Sequence, residues 1–562
     1  MVSEEIHLNH ALEAEGPSTG SGQRIRVVET DLGEYIVQLR GERPSHIITP
    51  AVHLHRDDVG RLFQEKLGIP YTEDVPVLTN TARKVLREIF LTADIGLSGV
   101  NFGVAETGTL CIVTNEGNGR MVTTLPPVHI ALMGMERLVP NMDDLALMLS
   151  LLPRSATSQK MSVYTQLIQQ PLPGQQRHLI LVDNGRSRLR SSSLNEALYC
   201  IRCGSCLNAC PVFRELSGHA YLGRDGSIAP YPGPIGSVVS PGLLGTNFAQ
   251  LAQASSLCGA CKEACPVDID LPKLLLRVRA GAAAETQSKK HEGAGIPSIV
   301  KWGLRLFGLG ASRSDLFSLA QRTLGLLTGK LAYLPLPAWT GWGLSKDMPL
   351  PDAKPFRVRF KDLETMTGQN TGEPEKNPEP EAQKMQKTPE RNPVDRFTEE
   401  LTALGGHVTL VNSQDLPGKI LAFLSERGIQ RVQVWESIPG LDLANLSANG
   451  IQVQSEADAT IKAGITGVPA AVAETGTLFI PGGKGRPLTA SLLPEIHIAV
   501  LRASDIHASL ENVFSRFKMG DYPAVALVSG PSRTADIEMT LTIGVHGPGE
   551  LHVYLIDDSD TV

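Results

Sequence analysis

Hydrophobic and polar positions follow two rhythms along this chain. Near the start, Ile25–Glu29, Tyr35–Leu39 and His46–Thr49 are short runs with β-branched and aromatic residues, which predicts strands. Thr81–Phe90 repeats apolar residues at helical spacing, with Thr79 or Asn80 as its cap. Leu271–Ala284 has the helical period as well. Later, Val408–Val411 predicts a strand, Leu416–Arg427 a helix and Arg431–Trp435 a strand. That order implies a largely parallel sheet. Two stretches have no period. Gly16–Gly22 predicts a flexible surface insertion, and Thr365–Pro393, mostly Glu, Pro, Gln, Lys, Asn and Thr, predicts a disordered tether.

The two periodic regions repeat one another. Gly96–Leu110 matches Gly464–Leu478, with Ala-Glu-Thr-Gly-Thr-Leu identical in both. Gly119-Arg120 answers Gly485-Arg486, His129–Leu132 answers His497–Val500, and His178–Asp183 answers His552–Asp557. Constant order and near-equal spacing imply two copies of one domain.

Between the copies lie seven of the eight cysteines. Cys200, Cys203, Cys206 and Cys210-Pro211 form one run; Cys258, Cys261 and Cys265-Pro266 form another. The first reproduces the C-x2-C-x2-C-x3-C-P spacing of iron–sulfur ligation, in which the fourth cysteine serves the other cluster. Gly204 and Gly259 give each loop a residue without a Cβ beside the inorganic sulfides. Cluster 1 then takes Cys200, Cys203, Cys206 and Cys265, and cluster 2 takes Cys210, Cys258 and Cys261. Cluster 2 is one thiolate short, since Ser255 stands where a first cysteine would fall. It is either a [4Fe–4S] with an open or oxygen-ligated iron or a [3Fe–4S]; two [4Fe–4S] clusters are the expected assembled state. Zinc, which prefers four ligands in CxxC-type pairs, fits seven cysteines poorly. Cys111, alone in an apolar stretch, predicts a buried core thiol.

Composition narrows the function classes. A net charge of −7 with no basic, aromatic-studded patch argues against nucleic-acid binding. The opening Met1–His7 lacks the apolar core of a signal peptide, no apolar run reaches a membrane span, and clustered free thiols suit a reducing cytoplasm. Residues 296–342 are apolar but dotted with Lys301, Arg305, Arg313 and Arg322. They predict a helical region, with peripheral membrane contact as the alternative. No catalytic residue is assigned. Candidate ligand loops are Glu106, Thr107, Gly108 and Thr109, and their equivalents Glu474, Thr475, Gly476 and Thr477, with Arg486 on a glycine-rich turn suited to a carboxylate or phosphate. A structural turn is the competing reading. Pro531–Glu538 is a further polar segment whose acids the first copy lacks.

Thr30–Tyr35, Ala105–Thr109 and both cysteine runs resemble LutB (LldF), the iron–sulfur subunit of bacterial LutABC L-lactate utilization systems. From about residue 395, Trp435–Gly440, Ala473–Thr477, Leu492–His497, Gly530–Glu538 and Val545–Pro548 resemble the companion subunit LutC. The resemblance implies an α/β fold: two LUD domains similar to the NagB/RpiA/CoA-transferase group, flanking an α-helical two-[4Fe–4S] ferredoxin-type domain. The expected layout is a LUD domain at 1–190, cluster domain at 191–285, LutB-like helical region at 286–362, linker at 363–394 and LutC-like LUD domain at 395–562. LutB proteins usually carry an additional N-terminal stretch, so the first LUD domain is expected to be incomplete, with an exposed sheet edge. The implied function is electron transfer in an L-lactate-to-pyruvate dehydrogenase complex, with a LutA-like partner and a quinone as acceptor. The alternatives are a subunit of a glycolate oxidase-type dehydrogenase, or a non-enzymatic cluster-based redox sensor.

Overall fold

The structure, a computed structural model, describes residues 2–14, 25–284, 298–328 and 392–557, with a few positions between 333 and 360. The predicted Gly16–Gly22 insertion and most of the predicted tether lie outside the described residues. Residues 1–294 with 391–562 form one compact unit, and 295–390 a second.

In the first unit, three parallel strands of the first copy, Ile95–Gly99, Val128–Gly134 and Gln176–Val182, are matched in the second by Ala463–Val468, Ile496–Arg502 and Glu550–Ile556. The second copy extends this sheet to six strands with His407–Val411, Arg431–Val434 and Gln452–Gln454. In the first copy the sheet has three strands, and Leu179, Ile180 and Leu181 of its edge strand are exposed. The repeat has a packing cause. A Cβ on Gly96 would come within 2.0 Å of the Val122 carbonyl oxygen, and one on Gly464 within 1.8 Å of that of Ala490. The repeated histidines are core residues. Ser98 Oγ lies 2.8 Å from His129 Nε2, and Thr466 Oγ1 lies 2.9 Å from His497 Nε2. Burial pushes His129 down to about 4 and His497 to about 3, so both stay neutral.

The copies share a second, eight-stranded sheet. Tyr164–Ile168 of the first pairs antiparallel with Ala524–Val528 of the second, Tyr164 opposite Val528, and each copy supplies four strands. Side chains lock this seam. Arg120 is buried and donates to the Ser491 carbonyl at 2.9 Å and to Ser491 Oγ at 2.7 Å. Arg83 and Arg87, on the Val75–Thr92 helix, donate to the carbonyls of Gly547 and Leu493 at 3.1 and 2.7 Å.

Several local expectations change. Tyr35–Leu39 lies inside the helix Leu32–Arg40, which Asp31 caps by accepting from the Glu34 N–H and Gly41 ends in the left-handed conformation. Residues 25–29 form no strand, because the side chain of Gln38 bonds Val27 and Glu29 instead of a neighbouring strand. His46–Thr49 is a turn in which His46 Nδ1 accepts from the N–H groups of Ile48 and Thr49. The Thr81–Phe90 helix begins earlier, at Val75, with Asp74 as cap. The second strand–helix–strand unit follows its pattern: His407–Val411, Leu416–Glu426 and Arg431–Val434. Cys111 is fully buried in a strand, and burial raises its thiol far above the ordinary range.

The second unit contains the helices Ser298–Ala311 and Ser314–Thr328, with Phe307 and Phe317 edge-to-face and Trp302 and Leu309 exposed. Among the described residues, no helix is long and apolar enough to cross a membrane.

Candidate iron–sulfur centre

Both cysteine runs fold alike, because each carries a glycine at the same offset. Gly204 (φ +78°) and Gly259 (φ +92°) cap the short helices Ser205–Asn208 and Ala260–Glu263. A Cβ on Gly259 would meet no protein atom, so the requirement there is the left-handed backbone itself. Arg202, between the first two cysteines, takes φ +64° and completes the loop. Pro211 and Leu271-Pro272 then start helices that carry the chain away, the first capped by Cys210 and the second by Asp270.

The loops bring the thiols into two groups that cross between runs. Cys200, Cys203 and Cys206 line one cavity with Cys265 of the second run. Cys265 feels the charges of Cys200 and Cys203, while Cys261 feels those of Cys210 and Cys258.

Donor chemistry fits iron–sulfur ligation. Burial, then the nearby Cys200, pushes the Cys206 thiol well above its ordinary value. Burial, then Cys210, pushes Cys261 up to about 11. Converging buried thiols repel as thiolates, a penalty that bound iron removes. Backbone N–H groups already point at the sulfurs: Arg202 to Cys200 and Ile269 to Cys265, each at 3.4 Å, and Phe213 to Cys210 at 3.5 Å. Such bonds favour the thiolate and tune a cluster's potential.

The two groups differ in surroundings. Beside the first, Arg202 is buried over the Tyr231 ring at 4.1 Å, and Arg137 donates to the Cys200 carbonyl at 3.2 Å. Glu136 and Glu5 balance them through Arg186, which bonds both. The second group reaches the surface, since Cys258 is exposed and the Ala260 N–H holds its thiol below the ordinary value. Ser255 is half-buried, and its Oγ accepts from the Leu257 N–H at 3.2 Å, a loop-capping role.

The candidate ligand loops lie elsewhere, at the turns of two hairpins. Thr107 and Thr109 bond one another at 2.6 Å beside exposed Glu106 and left-handed Gly108. Thr475 and Thr477 bond at 2.7 Å beside half-buried Glu474. A Cβ on Gly476 would come within 2.6 Å of the Leu401 backbone, so this turn is closed by the Pro393–Ala403 helix. Arg486 is exposed over the Trp435 ring at 5.7 Å, unlike its buried counterpart Arg120.

A second constellation escaped the sequence reading. Asp31, Glu116 and Asp536 converge at the seam, with carboxylate oxygens within 4.8 Å of one another. Each lies in a polar segment visible in the sequence, but only the pairing of the two copies joins them.

Comparison with known proteins accords with this geometry. A 4Fe-4S dicluster domain model matches residues 196–269, and a LUD domain model matches 5–187 and 394–556. Lactate utilization protein B of Bacillus pumilus is 42% identical over 376 residues, 64% of this chain and 74% of that protein. The protein of the same name from Macrococcus caseolyticus is 44% identical over 375 residues, with the same coverage of 64% and 74%. A crystal structure of a DUF162 family protein from Deinococcus radiodurans matches 29% of this chain and 96% of its own, at 23% identity and a TM-score of 0.23. Two LUD segments joined in one sheet, with a dicluster domain between them in sequence, make this chain a member of the LUD-domain family.

Proposed function

We propose that the chain is the iron–sulfur electron-transfer component of an L-lactate-oxidising system, combining LutB-like and LutC-like parts in one polypeptide. The observation that carries the reading is the placement of seven cysteines in two groups that cross between the runs, the second reaching the surface at Cys258. Two neighbouring clusters form a path for single electrons. The names of the relatives support lactate as the source.

Lactate loses two electrons and two protons to become pyruvate, whereas each cluster takes up one electron. The splitting of the pair belongs to a LutA-like partner. Cys200, Cys203, Cys206 and Cys265 hold the inner cluster, near the positive charge of Arg202 and Arg137. Cys210, Cys258 and Cys261 hold the outer one, from which electrons leave to an acceptor such as a quinone. The test is anaerobic addition of L-lactate to the iron-loaded chain with a LutA-like partner. Bleaching of the cluster absorbance by lactate, and not by glycolate, supports the proposal. No bleaching with all partners present refutes it and favours a redox-sensing role.

A further inference from the structure

We propose that the seam between the two LUD copies contains a divalent-cation site, held by Asp31, Glu116 and Asp536 with the His546 imidazole beside them. One oxygen from each carboxylate lies within 4.8 Å of the others. Among the described residues, no lysine or arginine forms an ion pair with any of the three. Two arginines whose charge reaches His546 donate to backbone, Arg83 to Gly544 and Gly547 and Arg87 to Leu493. Three carboxylates this close repel unless a cation or shared protons lie between them.

His546 is the independent observation. It is 2% exposed, and its Nε2 has no hydrogen-bond partner. That nitrogen lies 3.5 Å from Glu116 Oε2, while Glu116 Oε1 is also buried without a partner. The ring bonds the Thr30 carbonyl; since Nε2 is unpartnered, Nδ1–H makes this bond. That tautomer leaves the Nε2 lone pair beside Glu116 Oε2. Imidazoles that bind metals are commonly oriented in this way, by donating the other ring nitrogen to a carbonyl. Two electron-rich atoms facing each other at this distance call for a cation.

The donor set selects its class. Three carboxylate oxygens suit Mg²⁺, Ca²⁺ and Mn²⁺, and Mn²⁺ is the member of this set that EPR reads directly. The remaining bonds hold the donors in place. Leu32 N–H donates to Glu116 Oε2 at 3.0 Å, Gly33 N–H to Asp536 Oδ2 at 3.1 Å, and Thr534 Oγ1 to Asp536 Oδ2 at 3.1 Å. Asp31 and Glu116 come from the first copy and Asp536 and His546 from the second, so a bound cation ties the copies together. The site shares no residue with the cysteine centre and does not depend on the lactate reading.

The test uses the full, cluster-loaded chain, desalted anaerobically and titrated with MnCl₂ while EPR reads the free ion. The wild type is expected to bind about one Mn²⁺ with Kd below about 10⁻⁴ M, the weak end of dedicated cation sites. E116Q and D536N should each weaken binding more than about 10-fold, since loss of even an outer-sphere partner costs that much. H53A, in the separate cluster of Glu42, His53 and His219, should bind as wild type does. Iron content and circular dichroism check that each variant folds. Independently of any variant, Mn²⁺ should raise the unfolding midpoint of the wild-type chain. No tight Mn²⁺ and no midpoint shift overturns the site, as does wild-type binding by a folded E116Q or D536N, or loss of binding in H53A.

Discussion

Arg120 and Arg486 occupy the same place in the repeat, and the structure gives them opposite fates. Arg120 is 1% exposed and bridges the copies through the carbonyl and hydroxyl of Ser491, with its guanidinium 5.0 Å from the Tyr164 ring. The two charge-assisted bonds contribute about 3–6 kcal/mol together, and R120M also orphans a buried carbonyl at about 1–3 kcal/mol. Against this, burial lowers the Arg120 pKa from 12.5 to about 10, so removing the charge returns about 3 kcal/mol. The net expectation is a loss of about 3 kcal/mol. For R486M the structure offers an exposed cation–π contact at 5.7 Å, and the expected loss is below about 1 kcal/mol. Urea unfolding followed by circular dichroism, with equal slopes for all three proteins, measures both. If R120M costs under about 1 kcal/mol, or no more than R486M, the seam is not held as described.

Other consequences follow from the same contacts. Burial alone would raise the carboxyls of Glu5 and Glu136, but the bonds and charge of Arg186 on Glu5, and the charge of Arg137 with the Arg186 bond on Glu136, hold both below 4.5. Their contribution is full above that value and lost as pH falls through the depressed values, so the stability difference between wild type and R186M should shrink on acidification. Gly259 takes φ +92°, so G259A should cost about 1–2 kcal/mol of local backbone strain and release iron from the outer cluster first, read as faster loss to a chelator. C111A should leave iron content unchanged, because Cys111 is sealed in a strand and does not line the cavity of the cysteine group; a lower iron count would contradict that.

What was legible in the sequence follows the range of the forces involved. The grouping of Cys200, Cys203 and Cys206 is legible in spacing because one tight loop supplies all three, and the repeat is legible because Gly96 and Gly464 meet the same steric demand. Tyr35–Leu39 misled because β-branched and aromatic side chains prefer strands, a preference overridden by the Asp31 cap and the core that Tyr35, Ile36 and Val37 enter. The acid–histidine cluster was illegible as a unit. Asp31 and Asp536 are about 500 residues apart, and the pairing of the copies, through Tyr164–Ile168 with Ala524–Val528 and the Arg533 and His546 bonds to Asn115 and Glu116, makes them neighbours.

If the two cysteine runs exchange ligands, combined cysteine substitutions with iron counting reveal it. C203S/C206S/C265S removes three ligands of one cluster and should leave about four irons, whereas C203S/C261S/C265S leaves two thiolates for each cluster and should leave almost none. The opposite pattern, iron retained in C203S/C261S/C265S and lost in C203S/C206S/C265S, would mean that each run builds its own cluster and would contradict the crossed arrangement.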